Sequence, residues 1–339
     1  MVQVHTINIS PPLLNSSCAW SSDLSQLRAL YDCPFTGAIT TRTATLDGFK
    51  EDERHTVVFT SDTVSSLNSY GYSPFPLQQY LEWAYDLLTN PTTGTIATKP
   101  IIISITESSP TLVGQMISLV QILRQRLKDT ASESLTDLSR LVAVELNTSC
   151  PNIPNHPPPS YDPSVLSSYL QIVASAFQDD PTLTVGLKLP PYVYAAQFRS
   201  VIDAISEHTF TVAAEKGFQR FNPVAYIACT NTLGSSLLFG GQVIDASVPP
   251  NVAALPTTFG GLAGDSIHPI ALGNVHSFSH LISSHPDPAM QKVKIIGIGG
   301  VTSRDAASRM YQAGAHIVGC ATLFGQHGSH AFELLAISK

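Results

Sequence analysis

One thiol and four carboxamides stand where apolar runs of this sequence give way to polar tips. The segment "ELNTSCPNIP" (145–154) sets Asn147, Cys150 and Asn152 just past such a run, Asn68 closes "TVSSLN", and Asn231 follows "VAYIAC". A thiol in that position, with an unperturbed pKa of ~8.5, acts as a general base when its surroundings favour thiolate. Cysteines inside apolar runs are ordinarily inert filler, which is the reading for Cys229 and Cys320. A carboxamide offers an acceptor and two donors without charge, which suits a ring of alternating C=O and N–H groups such as a pyrimidine. Any single Asn more often caps a helix or braces a loop, so the weight lies on the four converging.

Three further tips add charge chemistry. Lys188 in "VGLKLPPY" ends another apolar run, and a lysine there is costly to bury without a partner. A flavin gains negative charge at its pyrimidine end on reduction, which a lysine would stabilise; a solvated strand end is the plainer use. The last two apolar runs end in "GIGGV" and "GCATLFG". Gly299 and Gly300 leave backbone N–H groups open to a phosphate, and "SRDAASRM" would start a helix whose positive end helps. The segment is not the dinucleotide GxGxxG, and a tight strand-to-helix turn is its bland reading.

What must hold these tips is a series of strands buried on both faces, since the runs are continuous rather than alternating. They are "GAITT" (37–41), "TVSSLN" (63–68), "PIIISI" (100–105), "LVAVEL" (141–146), "LTVGLKL" (183–189), "VAYIAC" (224–229), "VKIIGI" (293–298) and "AHIVGC" (315–320). Between them, 111–129, 163–177, 194–208 and 303–314 carry apolar residues at helical spacing, with Pro163 at a start and Gly314 past an end. Strands alternating with helices predict an α/β fold, a (β/α)8 TIM barrel, whose chemistry sits at the C-terminal strand ends; an open doubly wound sheet is the alternative. No charge run or low-complexity block divides residues 1–339, so one domain is expected.

Composition removes several classes. The formal charge of −7, from 18 Lys+Arg against 25 Asp+Glu, argues against a nucleic-acid groove. The five cysteines are scattered without a CxxC pair, which reads as reduced thiols in a cytoplasmic protein without a zinc or iron–sulfur site. No metal is expected at His276 and His280 of "HSFSH" either, for the further ligands a zinc site needs are not spaced to join them. The start "MVQVHTINISPPLLNSS" lacks the form of a signal peptide, and no uncharged apolar run reaches the ~18 residues of a membrane span, so no membrane association is expected.

Taken in order, "ELNTSCPNIP", "GLKLPPY", "CTNTLGS", "FGGLAGDSIHPIALGNV" and "IIGIGGVTSRDAASRMYQAGAHIVGCATL" resemble the successive signatures of dihydroorotate dehydrogenases, most of all the soluble, fumarate-using class. The likeness runs from "LLNSS" to the last strand. It implies an FMN-binding barrel that oxidises dihydroorotate to orotate in pyrimidine biosynthesis, with FMN reoxidised by fumarate or a similar acceptor, and a cytoplasmic homodimer. It also implies that Cys150 takes the C5 proton while hydride passes from C6 to N5 of FMN; the membrane-bound class has serine there. Arg42, Asn68, Gly71, Asn147, Asn152, Asn231 and Thr232 would then hold the substrate. Ser17, Arg42, Thr43, Asn147, Lys188, Thr230 and Gly264 would contact the flavin, with Gly299, Gly300, Ala321 and Thr322 around its phosphate. The stretch "PNIPNHPPPSYDP" matches the loop that covers the active site.

The chain departs from the family pattern at several of these points. Arg42 replaces a lysine, and a guanidinium is larger, planar and bidentate. The substrate loop reads "NSYGYSPFP", with Tyr70 and Tyr72 for two flexible apolar residues, Cys18 replaces a glycine, Ala321 another, and Asp265 a lysine. Two alternatives follow: a flavin oxidoreductase acting on another dihydropyrimidine or cyclic enone, and a flavin- or pyrimidine-binding paralogue without turnover.

Overall fold

Parity along the apolar runs decides which way each side chain faces, because successive residues of a strand point to opposite sides. Ile101, Ile103 and Ile105 pack with the helices, as do Val142, Val144, Leu146, Ile227, Cys229 and Ile295. Their neighbours Ile102, Ala143, Tyr226, Ala228 and Ile296 form a second, separate core. One strand layer thus separates an outer core from an inner one, the arrangement of a filled barrel.

The computed structural model describes residues 1–92, 97–130, 137–153, 157–214 and 217–336. Its main sheet consists of β1 (Leu13–Asn15), β2 (Ile39–Thr40), β3 (Ile101–Ile105), β4 (Val142–Asn147), β5 (Thr184–Leu189), β6 (Val224–Cys229), β7 (Lys294–Ile298) and β8 (Ile317–Cys320). These eight strands pair in parallel in the order β1-β8-β7-β6-β5-β4-β3-β2. Between β1 and β2 one main-chain bond, from the Gly37 N–H to the Leu13 carbonyl (2.8 Å), is continued by a side chain: Asn15 donates from Nδ2 to the Thr40 carbonyl (2.6 Å) and accepts the Thr40 N–H on Oδ1 (2.9 Å). The result is the expected (β/α)8 barrel.

All but one of the expected strands lie in this barrel. The exception is "TVSSLN": Ser65–Asn68 pairs antiparallel with Val57–Phe59 and Gly260–Gly264 in a separate four-stranded sheet completed by Leu233–Ser236. Its barrel place is taken by Leu13–Asn15, three residues whose buried side chains are too few to show as a run.

The helices are α1 (Leu24–Asp32), α2 (Leu77–Thr89), α3 (Pro110–Thr130), α4 (Pro163–Asp179), α5 (Ala195–Glu207), α6 (His268–Ser283), α7 (Arg304–Gln312), α8 (Thr322–His327) and α9 (His330–Leu335). Local chemistry sets their ends. Asp162 caps α4 ahead of Pro163, Ser303 accepts the Ala306 N–H (3.1 Å) at the start of α7, and Gly314 adopts φ +111° beyond its end. At the N-terminal end of the barrel a hairpin, Val2–Val4 with Ile7–Ile9, drives Val4, Ile7 and Ile9 into the inner core. Thr6 fixes it by donating to the Thr182 carbonyl beside the start of β5 (3.0 Å). With that end plugged, the opposite end is left for chemistry. Among the described residues no helix is long and apolar enough to cross a membrane.

Candidate active site

At the C-terminal ends of the strands one cavity gathers every residue singled out above for catalysis, substrate or flavin. Strand parity explains how two of them reach it. In β4 the outward positions are Val144 and Leu146, so Glu145 and Asn147 point inward; in β5 Leu187 and Leu189 point outward, so Lys188 points inward. Asn147 and Lys188 are register neighbours. Asn68 arrives differently, from the accessory sheet lying over the barrel mouth, and not from a barrel strand tip.

The four carboxamides form two couples. Asn231 donates to Ser149 Oγ (3.0 Å), which in turn donates to Asn147 Oδ1 (3.0 Å), while Asn147 Nδ2 donates to Thr43 Oγ1 (3.0 Å). Asn152 donates to Asn68 Oδ1 (3.2 Å) and to the Tyr70 carbonyl (2.8 Å), and Asn68 donates to the Gly261 carbonyl (3.2 Å). Thr232 lies close against Gly261, where any Cβ would meet its Oγ1 at 2.2 Å. Ser149 is a member of this network that the sequence reading passes over. Its only signal is its position between Asn147 and Cys150 in the motif itself.

Two cations face the same cavity. Lys188 is 4% exposed and donates to Ser16 Oγ (2.9 Å) and the Ser17 carbonyl (3.3 Å). It is therefore buried, against the solvated strand end that a lone lysine would suggest. Burial pulls its pKa down, opposed by the negative charge that Glu145, Cys18 and Cys150 can carry. Glu145 lies inside the barrel below it, its Oε2 accepting from the Tyr226 hydroxyl (3.4 Å) and its Oε1 without a partner among the described residues. Burial raises the Glu145 pKa, with Lys188 and Tyr226 acting the other way. Arg42 is also buried, held by Glu51, Ser22 Oγ (3.3 Å) and the Tyr70 ring, whose centroid is 5.2 Å from Cζ.

Cys150 is partly accessible through the cavity it lines. Burial raises its thiol pKa, while the Asn152 backbone N–H, Lys188 and Arg42 pull it back. The group rests as a thiol and is poised toward thiolate only by those donors and cations. Cys229 is buried inside its strand with its pKa pushed well up, as a filler cysteine is; Cys320 is also buried with its pKa pushed up, but at the end of β8 it lines the cavity.

The glycine-rich corner of the cavity is built by backbone. Gly299 and Gly300 adopt φ +117° and +67°, and a Cβ at Gly300 would lie 2.5 Å from His268 Cβ and 2.8 Å from the Gly264 carbonyl. Gly264, at φ +82°, would meet the Val64 carbonyl at 2.2 Å. Only glycine fits these conformations and approaches. His268 braces the turn, its Nδ1 2.9 Å from the Gly299 carbonyl. Nearby, Thr322 Oγ1 lies 3.2 Å from Ser66 Oγ, and the buried Thr230 hydroxyl has no partner among the described residues.

The departures from the family pattern find local partners. Asp265 accepts the Val64 N–H (3.0 Å) and the Thr302 hydroxyl, tying the accessory sheet to the loop after the diglycine. Tyr70 and Tyr72 line the cavity with Gly71, and Cys18 and Ala321 line it too. His276 and His280 are exposed on α6, and among the described residues no three metal-ligating side chains come together. Of the Pro-rich stretch, 154–156 lie outside the described residues.

A family model described as "Dihydroorotate dehydrogenase" matches residues 1–336. The chain is 29% identical over 327 residues to "Dihydroorotate dehydrogenase (fumarate)" of Trypanosoma cruzi, covering 96% of this chain and 87% of that one. It is 26% identical over 325 residues to the protein of the same name from Kluyveromyces lactis, covering 95% and 86%. An inward-facing lysine and asparagine pair, a cysteine at the same strand end and a diglycine turn, joined to a family match over nearly the whole length, have one common reading: this oxidoreductase belongs to the dihydroorotate dehydrogenase family.

Proposed function

We propose that the protein oxidises dihydroorotate to orotate with FMN as cofactor and fumarate as the electron acceptor, Cys150 being the general base. The observation that carries this reading is the meeting of Cys150, Lys188 and the four carboxamides in one cavity. The residues present suit FMN. An orphaned Thr230 hydroxyl awaits an acceptor, the Gly299–Gly300 turn leaves no room for a side chain, and Lys188 has a third N–H beyond its bonds to Ser16 and Ser17.

Bound FMN supplies the acceptor for the hydride that leaves C6 of the ring. Lys188, Thr43, Ser17, Thr230 and Gly264 would hold its ring system, and Gly299, Gly300, Ala321 and Thr322 its phosphate, with Asn147 and Arg42 between flavin and substrate. Asn68, Asn147, Asn152 and Asn231, with Gly71 and Thr232, would present donors and acceptors to the pyrimidine. Cys150 Sγ removes the C5 proton, so the thiol must first lose its own. Both cations near it favour that loss.

The test is the visible spectrum of the purified protein under anaerobic conditions before and after dihydroorotate. Bleaching of the flavin band, restored by fumarate, is the expected result; a yellow protein that dihydroorotate leaves unbleached overturns the reading. In that event the alternative substrates, another dihydropyrimidine or a cyclic enone, are tried in the same cuvette. The family resemblance also supports a cytoplasmic homodimer, which sedimentation velocity tests for its dimeric state. Residues 1–336 matching one family model supports one domain, for which a single cooperative unfolding transition is expected.

The diglycine makes a separate prediction. Gly300→Ala puts a Cβ into a left-handed conformation and onto His268, a strain of roughly 1–3 kcal/mol, so FMN affinity should fall about tenfold or more. The flavin-to-protein absorbance ratio after dialysis measures it; full retention of FMN would remove the turn from the phosphate site.

A further inference from the structure

The cation of the substrate pocket already holds an anion of the protein's own. Arg42 has five N–H donors, a planar fork suited to a carboxylate. Its two terminal nitrogens meet the two oxygens of Glu51, Nη2 on Oε1 and Nη1 on Oε2 (3.4 Å), which is the side-by-side geometry of a bidentate pair. Nη1 also reaches Ser22 Oγ (3.3 Å), Nη2 the Gly71 carbonyl (3.4 Å), and Tyr70 lies against the guanidinium face. Nε alone has no partner among the described residues, and one donor cannot hold a second carboxylate bidentately.

The segment that carries Glu51 is seated on the substrate loop. Phe49 donates its N–H to the Ser73 carbonyl (2.7 Å), its ring stands edge-on to Tyr72 at 6.0 Å, and it fills the space any Cβ at Gly71 would need. Glu51 is thereby delivered to Arg42 from the rim, with its side chain 23% exposed against 7% for the arginine. The partner able to move is the glutamate.

We propose that Glu51 is a specificity-determining residue, an internal competitor for the anion site at Arg42. A carboxylate-bearing ligand gains the guanidinium fork only by displacing Glu51, whereas a neutral ring binds without disturbing it. Glu51 thus sets the affinity of the cavity for anionic against uncharged ligands, and the arginine, which a lysine's single ammonium could not match in geometry, is what makes the exchange one for one. The inference rests on the preceding reading for its choice of probes.

The experiment is calorimetric titration of the FMN-loaded protein with orotate, with fumarate, and with uracil, which is the orotate ring without its carboxylate, in wild type and Glu51→Gln. Orotate and fumarate should bind roughly ten- to hundredfold more tightly to the variant, the worth of freeing one charge-assisted pair, with uracil unchanged. Orotate affinity unchanged or weakened, or uracil tightened equally, overturns the proposal. Should Glu51→Gln fail to fold because the buried arginine is left unpaired, two measurements replace it. Glu51→Asp, a retracted carboxylate, should give an intermediate tightening, and a crystal structure of the wild type with orotate should show Arg42 on the ligand and Glu51 released; an intact Arg42–Glu51 pair beside bound orotate overturns the idea. The two readings fail separately. Flavin bleached by dihydroorotate with no charge-selective change in Glu51→Gln removes the competitor and leaves the activity. No bleaching, with fumarate tightened and uracil unchanged, does the reverse.

Discussion

Replacing Cys150 by alanine should slow flavin reduction by dihydroorotate by about 10²–10⁴-fold, the usual worth of a positioned general base, while leaving flavin content unchanged. Anaerobic stopped-flow at the flavin band reads this step apart from reoxidation. The sign of the pH dependence follows from the thiol's surroundings. Burial lifts its pKa above the ordinary thiol value, so at neutral pH most molecules carry the inactive thiol. The reduction rate should then rise about tenfold per pH unit through neutrality, without a plateau below pH ~8.5. Cys150→Ser has a still less acidic hydroxyl, so its rate should be lower throughout and keep rising to higher pH. A Cys150→Ala protein reduced at the wild-type rate would show that the proton leaves by another route.

Lys188→Met should lower the same rate by roughly 10²–10³-fold, by analogy with loss of one preorganised donor at a developing anion. Methionine keeps much of the length and apolar body of the side chain, so the effect isolates the charge. The midpoint potential of the bound flavin should fall, because the reduced form loses its counter-charge; a potential at the wild-type value would place the lysine in a purely structural role. Removing the ammonium also takes away the one cation that favours ionised Glu145. That carboxyl is buried with an oxygen unpartnered, and protonation is the cheapest relief open to it.

How much of this was legible beforehand can be followed residue by residue. The apolar runs told strand from helix because both faces of each strand are buried, and Asn147 and Lys188 were legible as strand-tip residues; that both point inward, and that Lys188 is buried rather than solvated, came from the closed barrel. The first barrel strand was illegible for the same physical reason: Leu13–Asn15 has three residues, too few for any period, and its position is enforced by partners distant in sequence. "TVSSLN" looked like a barrel strand but pairs outside it, since Ser65 and Ser66 are satisfied by side chains and backbone that only the tertiary fold supplies. Glu145, inside an apolar run, carried a visible signal, a charge where none is affordable. Glu51 carried none, for "LDGFKEDER" reads as any solvated loop, and its pairing with Arg42 is a fact of three-dimensional proximity alone.

The seam between β1 and β2 gives the ring a keystone. Every other neighbouring pair of barrel strands is stitched by a main-chain ladder that no single substitution can remove. At this boundary the main chain supplies the Gly37 N–H bond to the Leu13 carbonyl (2.8 Å), and the Asn15 carboxamide adds its two bonds to Thr40. Ser16 and Ser17 continue from one side of the join and Arg42 and Thr43 from the other, and all four border the cavity. Ser17 already touches Thr43 across it (3.0 Å). A molecule occupying that cavity would therefore act as a clasp on the ring as well as a reactant in it, and the architecture would be tightest when loaded.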